Sequence, residues 1–315
     1  MIRKTDCYNR EKIGMSLLFA SIIHPTETSQ KNGYLLASSL REFGGLMAKN
    51  PVCYYVPNTE SSLNESIENK LRKLDVEIIQ FDADSLDLGF PFLGHAYAAS
   101  LAEKEADKRG QNIAWLAPNS IILREPTEMK LDAKYLGYRP VHHKLIGSEF
   151  NKPKDEFWSI VYEFCRITDD DAFPMKTHVD AEVIRPYFNA GFLIVDPKKE
   201  ILQQWYDQYS RAYLNDQFAK FYEIDDIYRI FIHQAILSGV TLKLAKREEM
   251  VELGAKYNYP LHLFNDDITP QKPQQIEDCI TIRHEGFYNS SNWEEQMPAS
   301  SNLKNWLARR ISEIQ

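Results

Sequence analysis

The stretch from Ile113 to Leu123 constrains the fold of this chain more than any other. Ile113-Ala114-Trp115-Leu116 is apolar without alternation, the pattern of a strand buried on both faces. Ala117-Pro118-Asn119-Ser120 interrupts the run, and Ile121-Ile122-Leu123 resumes it before Arg124-Glu125-Pro126. A strand buried on both faces needs a sheet with helices on both sides, hence an α/β class. The polar interruption falls where such a sheet delivers residues to its carboxyl edge, and ligands of open α/β sheets sit at that edge.

The residues before it agree. Leu17 to Ile23, Val52 to Val56 and Val76 to Phe81 read as strands. Between them, Gly33 to Phe43 and Asn64 to Lys73 place apolar residues at helical spacing, and Gly44-Gly45 stops the first helix. A third helix, His95 to Arg109, ends at Gly110. Strand and helix in alternation predict a mostly parallel, doubly covered sheet. The second half is less regular. It predicts strands over Tyr135 to Val141, Pro186 to Pro197 and Cys279 to Gly286, and a short one over Thr241 to Leu244. Helices are expected over Pro153 to Ile167, Glu200 to Tyr213 and Ile224 to Gly239, with an amphipathic closing helix over Asn302 to Gln315. Thr168 to Ile184 reads as a mobile loop.

With 43% hydrophobic and 12% aromatic residues, 315 residues suffice for one large domain. The expectation is one domain with a first half over about 15–125, a second half over about 126–290 and a closing helix over 300–315. Thirty-seven Lys and Arg against 45 Asp and Glu give a net charge of -8, which argues against nonspecific binding to nucleic acid or anionic membrane. Cys7, Cys53, Cys165 and Cys279 are far apart with no CxxC, so free thiols in a reducing compartment are expected. No apolar run approaches the roughly 20 residues of a membrane span. Arg3 to Ile23 has some signal-peptide character, but Asp6 and Glu11 interrupt it and its apolar part supplies the first strand; a cytoplasmic location is expected. GxGxxG and Walker sequences are absent.

Two motifs carry a resemblance. Trp115 to Leu123 has the frame of the central strand and turn of GT-A fold nucleotide-diphospho-sugar transferases, and Tyr187-Phe188-Asn189-Ala190-Gly191-Phe192 matches their Phe-Asn-Ser/Ala-Gly-Phe strand. With Tyr257-Asn258-Tyr259-Pro260 and His284, the chain resembles the family 8-like branch over roughly residues 15 to 290. The resemblance implies a GT-A type sheet, a nucleotide-sugar donor and a separate acceptor. It also implies a divalent metal on an Asp-x-Asp pair, because hard cations want oxygen ligands. Here Ala117, Pro118 and Asn119 stand in that place, and His233-Gln234 replaces the family's Asp-Gln. No metal at the usual site and no cofactor are therefore expected.

The substrate-binding residues implied are Asn189, Gly191, Asn119, His233, Gln234 and His284. Arg139, His142 and Lys144, with His143 and Arg283, are candidates to meet a diphosphate electrostatically in place of a metal. Strand alternation would send His142 and His143 to opposite faces, so one of them is expected at a given site. A histidine metal site using His284, and acid clusters at Asp169 to Asp171 and at Asp82, Asp84 and Asp87, are further options; a solvated loop is the plainer reading of the acids. Two functions follow: a glycosyltransferase that works without the usual metal, or a non-catalytic relative that binds sugar, nucleotide or protein. A nucleotidyltransferase would need a Gly-rich loop after the first strand, and His24 to Thr28 is not one.

Overall fold

The computed structural model describes residues 17–59, 61–83 and 88–314. Cys7, Asp84, Asp87 and the start of the signal-like segment lie outside the described residues. The first half runs β1 (Leu17–Ile22), α1 (Glu27–Phe43), β2 (Val52–Asn58), α2 (Glu65–Lys73), β3 (Val76–Asp82), α3 (Leu93–Arg109) and β4 (Asn112–Leu116), as the alternation predicts. The short β5 (Ser120–Ile122) follows the polar interruption. The second half adds β6 (Leu136–Pro140), α4 (Glu156–Cys165), β7 (Met175–Lys176), β8 (Val183–Ile184), β9 (Phe188–Val195), α5 (Ile201–Ala212), α6 (Asp216–Ile224), α7 (Asp226–Leu244), β10 (Met250–Glu252), β11 (Tyr259–Pro260), β12 (Thr281–Arg283), α8 (Trp293–Gln296) and α9 (Ser301–Ser312).

Seven strands form the central sheet in the order β10-β6-β9-β4-β1-β2-β3. Within it β9 runs antiparallel to both neighbours, β4 and β6, and the other pairings are parallel. This is the mixed, mostly parallel sheet that the resemblance implies. The β4 side chains alternate between two cores. Ile113 and Trp115 pack with α3, α4, α5 and α7 on one face, whereas Ala114 and Leu116 pack with α1 and α2 on the other. That is why the run shows no polar alternation: neither face meets water.

The orientation of β9 builds the ligand edge. An antiparallel strand brings its beginning to the place where its parallel neighbours end. Leu116 pairs with Phe192, and the Ala117 N–H donates to the Gly191 carbonyl at 2.8 Å. Asn189 and Gly191 therefore stand beside the turn that follows β4. A second sheet, β11-β12-β5, pairs Arg283 with Ser120 and brings the last strand to the same turn.

Four readings of the sequence change. Thr241 to Leu244 is the end of α7, not a strand. Its Thr-Leu-Lys-Leu alternation fits a strand in isolation, but Val240, Leu242 and Ala245 are buried with α4 and α5 in a helical packing. Thr168 to Ile184 is built, not loose: Asp169 to Asp171 form a 3-10 turn capped by Thr168, and β7 pairs with β8. Helix α6 and edge strand β10 were not expected. Among the described residues Cys53, Cys165 and Cys279 are free and buried, and no helix is long and apolar enough to cross a membrane.

Candidate functional site

A cleft of about 540 Å³ opens at the carboxyl edge of the sheet. The end of β1 contributes Ile22 and His24, and the first turn of α1 contributes Thr26, Thr28 and Ser29. Asn119 and its two predecessors form one wall, the start of β9 the floor, and α7 passes behind it with His233 and Gln234. The Gln234 side-chain oxygen accepts the Ala190 N–H at 3.1 Å, and the Ser238 hydroxyl accepts the Phe188 N–H at 3.1 Å. These bonds satisfy backbone donors that the antiparallel ladder leaves open where β9 enters the sheet.

Asn189 folds back on its own turn. Its side-chain oxygen accepts the Gly191 N–H at 3.0 Å and faces the Arg283 Nη1 at 3.4 Å. A Cβ on Gly191 would lie 2.5 Å from that nitrogen and 3.1 Å from the Ala117 Cβ. Glycine is needed here so that the guanidinium can lie across the strand. The Arg283 side chain is 22% exposed, and its Nε lies 3.7 Å from the Glu285 carboxylate. Burial lowers its pKa from the ordinary value. Of the described residues lining the cleft, Arg283 is the only Lys or Arg and Glu285 the only Asp or Glu.

Asn119 ties the β4 turn to the last strand. Its amide nitrogen donates to the His284 carbonyl at 2.6 Å and lies 3.3 Å from the Glu285 carboxylate, while its own carbonyl accepts the His284 N–H at 3.0 Å. His233 stacks on Phe92 with ring centroids 4.1 Å apart and bonds the Ile230 carbonyl through Nδ1 at 2.7 Å; burial pushes its pKa down to about 3. His142 contacts the Asn258 carbonyl at 3.2 Å and approaches the Asn189 amide at 3.5 Å, and burial lowers its pKa well below the usual 6.5.

Asn189, Gly191, Asn119, His142, His233 and Gln234 are thus brought together, and three candidates are not. Arg139 is 4% exposed and turned into the protein, where it donates to the Leu253 carbonyl at 2.6 Å and contacts His178 and Glu252. Burial pushes it down to about 10. Lys144 bonds Glu182 at 2.8 Å outside the cleft. His284 is absent from the lining of this cleft and lines a second pocket. The expectation that only one of His142 and His143 joins the site also changes: both line the cleft, because β6 ends at Pro140 and strand alternation stops there. His143 pairs with Asp180 at 3.1 Å. Asp169 is taken by Lys154 and Arg185 away from the cleft.

His24, His95 and His262 are what sequence reading missed. Of the eight in the chain, six line this cleft: His24, His95, His142, His143, His233 and His262. His178 lies edge-on to His142, and His284 is bonded to Asn119. They are scattered from position 24 to position 284, so no spacing signals the gathering.

The residues of the β4 turn do not fit the divalent metal that the resemblance implies. Ala117 and Pro118 have no ligating side-chain atoms, Asn119 offers a single neutral side-chain carbonyl oxygen, and Glu285 is the lone carboxylate on the wall among the described residues. Among the described residues no group of three or more His, Cys, Asp or Glu could hold a metal ion. The His284 Nδ1 accepts the Gly286 N–H at 3.1 Å, which puts the proton of the neutral ring on Nε2 and leaves no lone pair to offer.

Residues 20–234 match the Rhodobacterales glycosyltransferase domain. The chain belongs to that family. No curated protein matches the sequence. Solved structures similar to it include the galactosyltransferase LgtC in complex with donor and acceptor sugar analogues, at 13% identity over 95% of each chain with a TM-score of 0.46. Mouse xyloside xylosyltransferase 1 in its apo form shares 15% identity over 85% of this chain and 96% of that one, with a TM-score of 0.44. Core-mannan synthase A from Aspergillus fumigatus in an Mn/GDP form shares 7% over 76% and 72%, with a TM-score of 0.45.

Proposed function

We propose that this glycosyltransferase domain moves a sugar from a nucleoside-diphosphate donor without a metal at the β4 turn, and that Arg283 meets the charge of the leaving diphosphate. The observation that carries this is the position of Arg283. It is the one cationic Lys or Arg side chain among the described residues of the cleft, and it lies over Gly191 beside the turn where relatives of the resembled type carry metal-binding acids. A preformed cation at the point where negative charge develops does the electrostatic work of a metal without reorganisation. Guanidinium suits it, since it offers paired donors to phosphate oxygens.

Asn189, Gln234 and His142 surround the space in front of Arg283 and supply hydrogen-bonding groups for the donor sugar. The hydroxyls of Thr26 and Thr28 stand at the start of α1, where helix N-termini favour anions. Glu285 is the carboxylate nearest Arg283 and competes with the diphosphate for it.

A thermal-shift series with nucleoside diphosphates and their sugars, each with and without Mn²⁺, tests the reading. Ligands that bind the folded state raise its melting temperature by mass action. The expected result is a shift that Mn²⁺ does not change and that Arg283→Ala removes, with affinity weakened roughly tenfold or more for loss of a charged hydrogen bond. A shift that requires Mn²⁺ overturns the metal-free part. Binding without any turnover of donor, in the presence of sugar acceptors, would mark a binding module, the reading that the missing acids at Ala117 and His233 would then favour.

A further inference from the structure

We propose that the second pocket, beyond the Asn119–His284 tie, is a subsite for a neutral saccharide and holds the acceptor. The proposal rests on the glycosyl-transfer reading of the neighbouring cleft. The pocket measures about 540 Å³, within the range of about 300–1,000 Å³ typical of small-molecule sites. It is formed where the segment after β11 faces the residues between β12 and α8.

Its walls have a particular chemistry. Phe287 and Trp293 meet with ring centroids 5.1 Å apart at 63°, and Phe287 lies edge-on to His284 at 5.1 Å. Phe264 completes the aromatic lining, although the Lys272 ammonium sits 4.6 Å over its ring. Phe287 and Trp293 are therefore the available platform. The same pocket is lined by the neutral polar residues Asn265, Asn289, Ser290 and Gln296. No Lys or Arg lines the pocket among the described residues, and Glu285 is its one acid.

That combination selects the ligand. An anion would find no Lys or Arg on the pocket wall, since Arg283 is paired with Glu285 on the side of the other cleft. A purely apolar ligand would strip water from the amides and give them no partner, which costs about 1–3 kcal/mol per group. A sugar presents apolar C–H faces to rings and hydroxyls to amides, and so satisfies both. An independent observation points the same way. His284 is fully buried, its Nδ1 is occupied by Gly286, and its Nε2 has no hydrogen-bond partner among the described residues. A ring nitrogen bordering a pocket with its hydrogen-bonding capacity unused is an unmet need that a bound hydroxyl can fill.

The position selects the role. His262 and Glu285 line both this pocket and the donor cleft, so the two spaces share a wall. A saccharide seated on Trp293 and Phe287 has one end at Glu285, beside Arg283, Asn189 and the place assigned to the donor. Transfer needs this juxtaposition of two bound substrates.

Saturation-transfer NMR on the full chain tests the proposal, with lactose, maltose and methyl α-mannopyranoside as probes. The expected result is transfer to at least one probe, weakened tenfold or more by Trp293→Ala and kept by Trp293→Phe. Asn289→Ala and Gln296→Ala, at exposed positions, provide folded variants with the same expected loss should Trp293→Ala fail to fold. Nucleoside-diphosphate thermal shifts should be unchanged in all four variants. Absence of transfer to every probe in the wild type, or transfer that these variants leave untouched, overturns the subsite. Loss of the nucleotide shift in the wild type would sink the donor reading instead, so the two failures are distinguishable.

Discussion

At the scale of single residues, Gly191 shows how a motif position acquires a reason. The sequence marks it as a place where backbone must approach a ligand. The structure shows that Arg283 already occupies the approach, 2.5 Å from where a Cβ would lie. Gly191→Ala therefore has to displace the guanidinium. Overpacking costs about 1–3 kcal/mol, with the low end expected because the obstacle is the tip of a flexible side chain. The expected outcome is a small fall in melting temperature and a roughly tenfold loss of nucleoside-diphosphate affinity, read by titration calorimetry. Gln234→Leu makes the opposite case. It strips the acceptor from the buried Ala190 N–H, so about 1–3 kcal/mol of stability should be lost in urea unfolding. Asn189, Gly191, Gln234 and Asn119 were legible because each belongs to a local motif. Arg139 and Lys144 misled for the same reason: charge near a strand end is visible in sequence, but the direction of a long side chain is not.

At the scale of elements, the buried strand β4 and the helices of the first half follow from periodicity alone. What joins α3 to α5 does not. Glu103 on α3 is fully buried and accepts the N–H groups of Leu202 and Gln203, which open α5. Burial pushes its carboxyl up to about 7, although those donors pull it down. Glu103→Ala should leave both donors unsatisfied and cost about 1–3 kcal/mol or more, seen as a lower denaturant midpoint with activity per folded molecule unchanged. In the sequence this glutamate sits among Lys104, Glu105 and Lys108 and reads as part of a solvated face. The helix α7 was cut short for a related reason. Four residues of apolar-polar alternation suit a strand, and only burial against α4 and α5 carries the helix on to Leu244.

At the scale of the whole molecule, the gathering of histidines sets a pH dependence. His178, His233 and His284 are at least nine-tenths buried, and burial pushes each from 6.5 down to about 3. Between these limits the unfolded chain binds protons that the folded chain does not, so stability rises with pH. It is fully present above about 6.5 and lost as the pH falls toward 3, at about 1.4 kcal/mol per pH unit for each histidine. Glu103 acts with the opposite sign: its raised pKa favours the folded state below 4.5 and that contribution fades as the pH rises through about 7. One glutamate offsets one histidine, so acid should still destabilise the fold. Melting temperature measured from pH 7.5 to pH 5 checks this; at least two histidine contributions are expected to remain, since burial lowers His95 and His142 in the same direction. A flat profile would mean that the ring nitrogens find partners when protonated.

The sequence by itself determined the sheet, its two buried faces and the motif strand that forms the floor of the cleft. These are local properties, since periodicity and short motifs depend on neighbours in the chain. It did not determine which charge faces the cleft, nor that six dispersed histidines meet there, nor that a second, aromatic pocket shares the wall at Glu285. Those depend on one topological fact: β9 runs against β4 while β12 pairs with β5. Antiparallel entry brings positions 119, 189 and 283 side by side, and only the folded chain can close distances of that length.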